Sequence, residues 1–269
     1  MASAPQDWVA SAATITPGFE TSGDPFLGIS GDFDGMGISC GALQWCVGQG
    51  SLQPLVIAVG KPVVLAAMPT LGSAMWQACS GTIRDGLAIV RSWQNGSTLK
   101  ASAKSELRAL MGTAEMRAQQ QSRIDALAAT AFRWASDWAT QRDGTQATKR
   151  LFCWFFDMAA QNGNLEGLTP QGVKDFISMN RPDHVDDLIC DFLADTGGTS
   201  GHIRDAHKNA DLWRNPSGNE RLEILCMSYL RSKTANPRWR HVVLNRKGTI
   251  AFGKGWVNSS LYDFSRQGL

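Results

Sequence analysis

The chain has 269 residues, of which 43% are hydrophobic and 19% charged, and its formal net charge is +2. This composition is typical of a globular domain, and a small net charge without any Lys/Arg run does not favour nucleic-acid binding. No segment reaches the roughly 18 apolar residues of a membrane span. The N terminus also lacks the basic start and apolar run of a secretory signal, so we expect a chain that is made in the cytoplasm.

The first structural signal in chain order is an alternating stretch at residues 37–45. Ile38, Cys40 and Ala42 occupy every second position, a period that predicts a strand with one apolar face. The Asp-Gly pair just before this stretch is a common turn signal. Weaker apolar patterns predict helices around residues 51–59, 82–94 and 102–111.

The second half of the chain is predicted to be mainly helical. Residues 113–138 carry apolar side chains at helical spacing and predict a long central helix. The segment RLFCWFFDMAA (150–160) is apolar nearly all round, which predicts a buried helix. The remaining predictions are a helix start at Thr169-Pro170, a helix around 183–194, a capping box at Ser217–Glu220 and a short strand at 241–244. The fold class is therefore mainly α (α+β) with a small β hairpin, in one domain over residues 1–269.

The cysteines and histidines predict no metal site and no cofactor. The six cysteines form no CxxC pair, and the four histidines show no HExxH spacing. Buried free thiols are the simplest interpretation in a chain of this length. A disulfide between Cys40 and Cys46 remains an open alternative.

Carboxylates lie on both sides of a glycine-rich stretch near the N terminus. Glu20 follows Phe19 in a segment that has no Lys or Arg from residue 1 to 60, so no sequence neighbour lowers its pKa. Asp34 lies in Asp-Gly-Met-Gly, an open and polar setting that suits an ionised base. A protonated acid and an ionised base are what glycoside hydrolysis needs. Ser39 could orient the attacking water.

Other interpretations of these carboxylates stay open. Asp32 is a rival for the base, and Asp32 and Asp34 could simply form a turn. A calcium loop would need the remaining EF-hand ligands, and a phosphate loop would need a Gly-Lys-Ser/Thr ending, none of which is present. Glu20 alone could be an ordinary surface residue.

The order Glu, then Asp-Gly-x-Gly-x-Ser-x-Gly, then an aromatic residue resembles the bacterial chitosanase branch of the lysozyme-like superfamily. The resemblance implies a two-lobed fold with a cleft. It also implies that Glu20 ends the first helix as general acid, that Asp34 opens the hairpin as general base and that Ser39 orients water. The Glu-to-Asp spacing is shorter than expected for that family, and Asp32 is a second possible base.

A closer resemblance is to lysozyme-like peptidoglycan hydrolases used as type VI secretion effectors. The resembling segments are GISCGALQW (37–45), LMGTAEMRAQQ (110–120), FCWFFDMAAQNG (152–163) and RWRHVVLNRKGTIAFGKGWV (238–257). This resemblance implies a toxin that reaches the periplasm of target bacteria, with peptidoglycan glycan strands, an immunity protein and a secretion-system spike component as partners.

The expected activity is a muramidase-like cleavage of β-1,4 glycosidic bonds. Chitosan is a polycation, and a slightly basic chain suits the lactyl-peptide carboxylates of peptidoglycan better. Chitosanase activity, lytic transglycosylase activity and non-catalytic glycan binding are the alternatives. The further candidates for substrate binding are Asp32, Gln44, Trp45, Asp157, Gln161 and Asn162. For Asp157, a buried ion pair with an arginine of residues 238–246 is a structural alternative.

Overall fold

The structure is a computed structural model that describes residues 3–20, 23–161, 163–216 and 218–269. The chain divides into two compact units. The smaller unit is Thr16–Ala126, and the larger unit combines Met1–Ile15 with Leu127–Leu269. The predicted capping box begins at Ser217, which lies outside the described residues.

Helices and short strands make up most of the described part of the smaller unit. Its helices are α1 (Gln6–Gly18, beginning in the larger unit), α2 (Gln53–Val59), α3 (Lys61–Ala67), α4 (Gly72–Ser80), α5 (Ile83–Arg91), α6 (Ala101–Gly112) and α7 (Ala114–Asp143, continuing into the larger unit). Its strands are β1 (Ile29–Ser30), β2 (Ser39–Cys40), β3 (Trp45–Cys46), β4 (Gln94–Asn95) and β5 (Thr98–Leu99). A 3-10 turn covers Pro25–Leu27.

The strands of the smaller unit form two antiparallel sheets. One sheet has the order β1-β2-β3, with Ser39 opposite Ser30 on one side and Cys46 on the other. The second is the β4-β5 hairpin. Ile38 and Cys40 are completely buried and join a core formed with helices α2 to α7, so the sheet is fixed to the helices of this unit by apolar burial.

The larger unit is mainly helical. Its further helices are α8 (Lys149–Gln161), α9 (Pro170–Met179), α10 (Val185–Ala194), α11 (Gly201–Leu212), α12 (Asn219–Lys233) and α13 (Arg240–Phe252). A terminal hairpin pairs β6 (Lys254–Val257) with β7 (Ser260–Asp263), and 3-10 turns cover Pro237–Trp239 and Ser265–Gln267. Among the described residues, no helix is both long and apolar enough to cross a membrane.

Helix α8 is central to the larger unit. Phe152, Trp154 and Phe155 have no exposed surface, and the Trp154 indole donates a hydrogen bond to the Ser228 hydroxyl (2.9 Å). Helix α13 packs closely because Gly248 lies against the ring of Trp213, where a Cβ would come within 2.5 Å. A helix that is apolar on every side is stable only when neighbours surround it, which explains the RLFCWFFDMAA pattern.

Most of the predicted helices are confirmed. The long central helix is α7, the buried helix is α8, and the helices predicted around 51–59, 82–94, 102–111 and 183–194 correspond to α2, α5, α6 and α10. Thr169 caps α9 by accepting a hydrogen bond from Gly172 N, as the Thr-Pro pair predicts. The mainly α class with small antiparallel sheets is confirmed.

Two strand predictions need correction. Residues 241–244 lie inside α13, where Leu244 begins a run of buried residues that continues to Ala251. The stretch 37–45 is not one strand, since a turn at residues 41–44 separates β2 from β3. Gly41 (φ 76°) and Gln44 (φ 53°) adopt left-handed backbone there. The predicted apolar face is nevertheless buried: Ile38, Cys40 and Ala42 are at most 1% exposed.

All six cysteines are buried and free, so the Cys40–Cys46 disulfide is not formed. Burial raises the pKa of the Cys79 and Cys153 thiols to about 12. These thiols are therefore protonated at neutral pH and behave as apolar groups in the core.

Candidate functional site

Glu20 lies just beyond the end of α1. Its backbone N–H donates to the carbonyl of Pro17 (2.9 Å), which closes a turn after the helix. The preceding side chain, Phe19, is 2% exposed, whereas Glu20 is exposed. A buried neighbour on a closed turn holds the carboxyl group of Glu20 at the surface of the smaller unit.

The loop between β1 and β2 is held in place by the Asp32 side chain. Asp32 Oδ1 accepts a hydrogen bond from Gly37 N (2.8 Å), and Oδ2 accepts one from Arg91 Nε (2.7 Å). Desolvation raises the pKa of Asp32, but the Gly37 hydrogen bond and the Arg91 guanidinium outweigh it and keep the pKa below its usual value. Asp32 is therefore an ionised anchor of the loop.

The side-chain amide of Gln94 also holds this loop in place by hydrogen bonds to its backbone. Its Oε1 accepts from Asp32 N (2.8 Å), and its Nε2 donates to the carbonyl of Gly37 (2.9 Å). Arg91 adds a bond from Nη2 to the carbonyl of Gly35 (2.9 Å). Gly37 has φ 86°, and a Cβ there would lie 2.8 Å from Leu87, so only glycine fits this close approach.

Asp34 lies at the exposed tip of this loop. Its Oδ1 accepts a hydrogen bond from Met36 N (3.0 Å), which forms a local turn and fixes the side chain. The residue is exposed, in contrast to Asp32, whose side chain is 12% exposed and paired with Arg91. Of the two candidates for the base, Asp34 therefore has the accessible carboxylate.

Phe33 stands between the two aspartates and is 72% exposed. A single exposed apolar residue is common on protein surfaces, but this one is attached to a backbone that Asp32, Arg91 and Gln94 hold in place. The anchored loop therefore carries an exposed aromatic ring at the residue before Asp34. The sequence shows Phe33 in its polar, glycine-rich surroundings, yet sequence reasoning did not select it.

The candidates on the sheet have different environments. Ser39 is 7% exposed in the central strand β2, so the water-orienting role of its hydroxyl stays a prediction. The amide of Gln44 is engaged by the sheet itself: Oε1 accepts from Ser30 Oγ and Nε2 donates to the carbonyl of Gly41 (both 2.9 Å). Trp45 is half-buried in β3 against the core.

The three candidates at the end of α8 belong to the larger unit and do not form one group. Asp157 is completely buried, with Oδ1 accepting from Arg246 Nε (2.9 Å) and Oδ2 paired with Lys247 Nζ (3.1 Å). The structural alternative for Asp157 is thus confirmed, and a buried side chain gives no support to its substrate-binding role. Gln161 is exposed at the end of α8, and Asn162 lies outside the described residues.

Sequence reasoning also missed the residues that position the site from a distance. Arg91 and Gln94 follow the loop by about sixty positions, as the separations of 59 and 62 residues to Asp32 show. Gln120 is completely buried in α7, where it accepts from Ala42 N (3.1 Å) and donates to the carbonyl of Phe26 (3.2 Å). The sequence LMGTAEMRAQQ does not indicate that Gln120 is buried, because glutamine is usually a surface residue.

Chemically, the loop offers carboxylates, an aromatic ring and backbone groups. Within the described part of the chain, no cluster of three His, Cys, Asp or Glu side chains could hold a metal ion. The Arg91 guanidinium already supplies the positive charge next to Asp32, so the calcium alternative gains no support. Comparisons of the chain with models of known protein families, with curated proteins and with solved structures find no match.

Proposed function

We propose that the chain is a lysozyme-like glycoside hydrolase that cleaves β-1,4 bonds of peptidoglycan. One observation carries the proposal. Glu20, just beyond α1, and Asp34, in the loop between β1 and β2 of the three-stranded antiparallel sheet, are both exposed in the smaller unit. Helix, then Glu, then an Asp-bearing hairpin is the order that the resemblance to the chitosanase branch implies.

In this proposal, Glu20 donates a proton to the leaving glycosidic oxygen and Asp34 takes a proton from the attacking water. As the water loses this proton, its oxygen bonds to the anomeric carbon from the face opposite the leaving oxygen while the glycosidic bond breaks, which inverts the anomeric configuration. This geometry needs the two carboxyl groups about 6.5–9.5 Å apart in the substrate complex. The Arg91–Asp32 pair supports it by fixing the loop that carries Asp34.

Phe33 supplies an apolar face for a sugar ring. Pyranose rings have one face of C–H groups, and aromatic side chains bind such faces by burying apolar area. Because Phe33 directly precedes Asp34 on an anchored loop, a sugar that stacks on the ring would be placed next to the base. Trp45 and Gln44 remain candidates for further contacts.

Peptidoglycan is the preferred substrate over chitosan because of charge. The formal net charge of the chain is +2, which favours a glycan with acidic peptides over a polycation. The further proposal is a type VI secretion effector with an immunity protein. Expression of the chain in the periplasm of a sensitive bacterium should stop growth, whereas expression in the cytoplasm should not, and toxicity in the cytoplasm alone would contradict this assignment.

The experiment that tests the activity is turnover of purified sacculi by the variant Glu20→Gln. The substitution keeps size and polarity but removes the proton donor, so turnover should fall at least about 100-fold, the lower end of what general acids contribute. The matched control is Glu115→Gln, which changes an exposed glutamate in the first turn of α7 and should retain full turnover. Wild-type turnover by Glu20→Gln, with the fold intact, would discard the proposal.

A further inference from the structure

The larger unit contains a pocket that no predicted site residue lines. It has a volume of about 470 Å³ and lies between the start of α1, the later turns of α7 and the segment before α8. Its lining includes no charged side chain. The volume is within the range of small-molecule sites, about 300–1,000 Å³.

One wall of this pocket is aromatic and fixed. The Trp8 and Phe132 ring centroids are 6.3 Å apart at an interplanar angle of 64°. The ring centroid of Trp8 is also 5.9 Å from that of the completely buried Phe152. Since Trp8 and Phe132 keep part of their surface exposed, the wall is a preformed apolar face open to a ligand.

The other walls carry neutral hydrogen-bonding groups. Phe132, Ser136 and Thr140 are spaced by four residues on α7 and share one helix face. Gln146 lines the pocket from the segment before α8. Ser136 is half-buried and Thr140 and Gln146 are exposed, so their polar groups are accessible to a ligand in the pocket.

The segment that carries Gln146 is held by neighbouring charges that pair with each other. Thr145 N donates to Asp143 Oδ1 (3.1 Å), and Arg142 Nη2 donates to Thr145 Oγ1 (2.6 Å). Arg142 also pairs with Asp143 and with Glu223. These three charged side chains are thus satisfied by each other, and the pocket lining itself carries no charged side chain.

We propose that this pocket binds an uncharged pyranose ring. The aromatic wall suits the C–H face of a sugar, and the hydroxyl and amide groups suit its ring hydroxyls. A charged ligand would lose hydration without meeting an opposite charge. The proposal does not depend on catalysis by Glu20, because the pocket lies wholly within the larger unit.

The test uses the full chain and titrates methyl β-glucoside and N-acetylglucosamine by saturation-transfer NMR, with cationic glucosamine as a comparison. The variant Ser136→Phe fills the pocket, and Ser122→Phe is the matched control at an exposed position of the same helix. We expect saturable binding of the neutral sugars by the wild type and by Ser122→Phe. We expect Ser136→Phe to raise the dissociation constant at least tenfold.

Any one of four outcomes would overturn the proposal. The first three are the absence of saturable binding to both neutral sugars, unchanged binding in Ser136→Phe, and stronger binding of glucosamine than of the neutral sugars. Circular dichroism checks the fold of each variant. Thr140→Trp, at an exposed position on the rim, replaces Ser136→Phe should that variant fail to fold. Binding that Phe33→Ala abolishes and the pocket variants leave intact would place the sugar in the smaller unit and also overturn it.

Discussion

At the residue scale, the two loop aspartates have separate tasks although they are two positions apart. Asp32 accepts two strong hydrogen bonds within the protein, from Gly37 N and from Arg91, whereas Asp34 is exposed. A carboxylate whose oxygens accept hydrogen bonds from protein groups stabilises the fold. An exposed carboxylate can instead accept a proton from a substrate or a water molecule. From the sequence alone, both aspartates remain candidates for the base, because Arg91 is 59 positions away from Asp32 along the chain.

This division predicts different results for two substitutions of the same type. Asp34→Asn removes the proposed base and should lower turnover of sacculi at least about 100-fold with little change in stability. Asp32→Asn weakens the pair with Arg91 and should lower the free energy of unfolding by about 1–2 kcal/mol. Turnover and urea denaturation of both variants check this. Equal loss of turnover with equal loss of stability would contradict the separate tasks.

The stability that Asp32 contributes should also depend on pH. Because its folded pKa lies below the ordinary value of 3.8, the contribution is fully present above pH 3.8 and is lost as the pH falls through the folded pKa. The stability difference between the wild type and Asp32→Asn should therefore shrink in this acidic range. If the stability difference between the wild type and Asp32→Asn does not change as the pH falls below 3.8, the ion pair between Asp32 and Arg91 is not formed.

Phe33 gives a third residue-scale prediction. Phe33→Ala removes the proposed stacking face without touching the core, because the ring is 72% exposed. The Glu20→Gln form should bind sacculi about tenfold more weakly when it also carries Phe33→Ala. The same form with Phe33→Trp, which keeps an aromatic ring at this position, should bind as strongly as Glu20→Gln alone. Sedimentation with sacculi measures the binding. Unchanged binding in the alanine variant would leave Phe33 without a role in the site.

At the element scale, α8 and α13 are joined by a buried ionic cluster. Asp157 on α8 meets Arg246 and Lys247 on α13, so two cations share one anion. Desolvation raises the Asp157 pKa, but the two cations outweigh it and lower the pKa overall. Desolvation also lowers the Lys247 pKa to about 8, against the opposing effect of Asp157.

The lowered Lys247 pKa makes stability depend on pH on the alkaline side. Between pH 8 and 10.5 the unfolded chain keeps a proton on Lys247 that the folded chain has released, so the lysine's contribution to stability rises with pH. Relative to Lys247→Met, the wild type should gain about 1–3 kcal/mol across this range. The buried thiols titrate in both proteins and cancel in this difference.

Chemical denaturation at pH 7.5 and pH 10 measures this effect, with Lys104→Met as the control at an exposed lysine of α6. The control should show no such gain. Asp157→Asn should destabilise the fold by about 3–5 kcal/mol, because it leaves two buried cations without an anion. A flat difference between the wild type and Lys247→Met would mean that Lys247 is charged in the folded state throughout the range.

Helices were predictable where the apolar period is strong, as in α7 and α8. Strands of two residues, such as β2 and β3, were not, because a two-residue element is too short to show a period. The helix over 241–244 was missed because Val-Val-Leu has a strand-like composition, which burial in the larger unit overrides. The turn at residues 41–44 is held by the hydrogen bond from Ala42 N to Gln120 Oε1, across a separation of 78 residues that no local pattern encodes.

At the scale of the whole molecule, the candidate catalytic groups and the carbohydrate pocket lie in different units. Glu20, Asp34 and Phe33 belong to the smaller unit, and the pocket beside Trp8 belongs to the larger one. The prediction of a single two-lobed catalytic domain stays a prediction.

The central claim is that an acid and a base in the smaller unit hydrolyse a glycan strand. Mass spectrometry of the soluble products from purified sacculi tests it most directly, with chitosan as the second substrate. The account predicts muropeptides with reducing ends from the wild type and from Glu115→Gln, none from Glu20→Gln or Asp34→Asn, and no cleavage of chitosan. Anhydro ends in place of reducing ends, or equal product from Glu20→Gln, would contradict it.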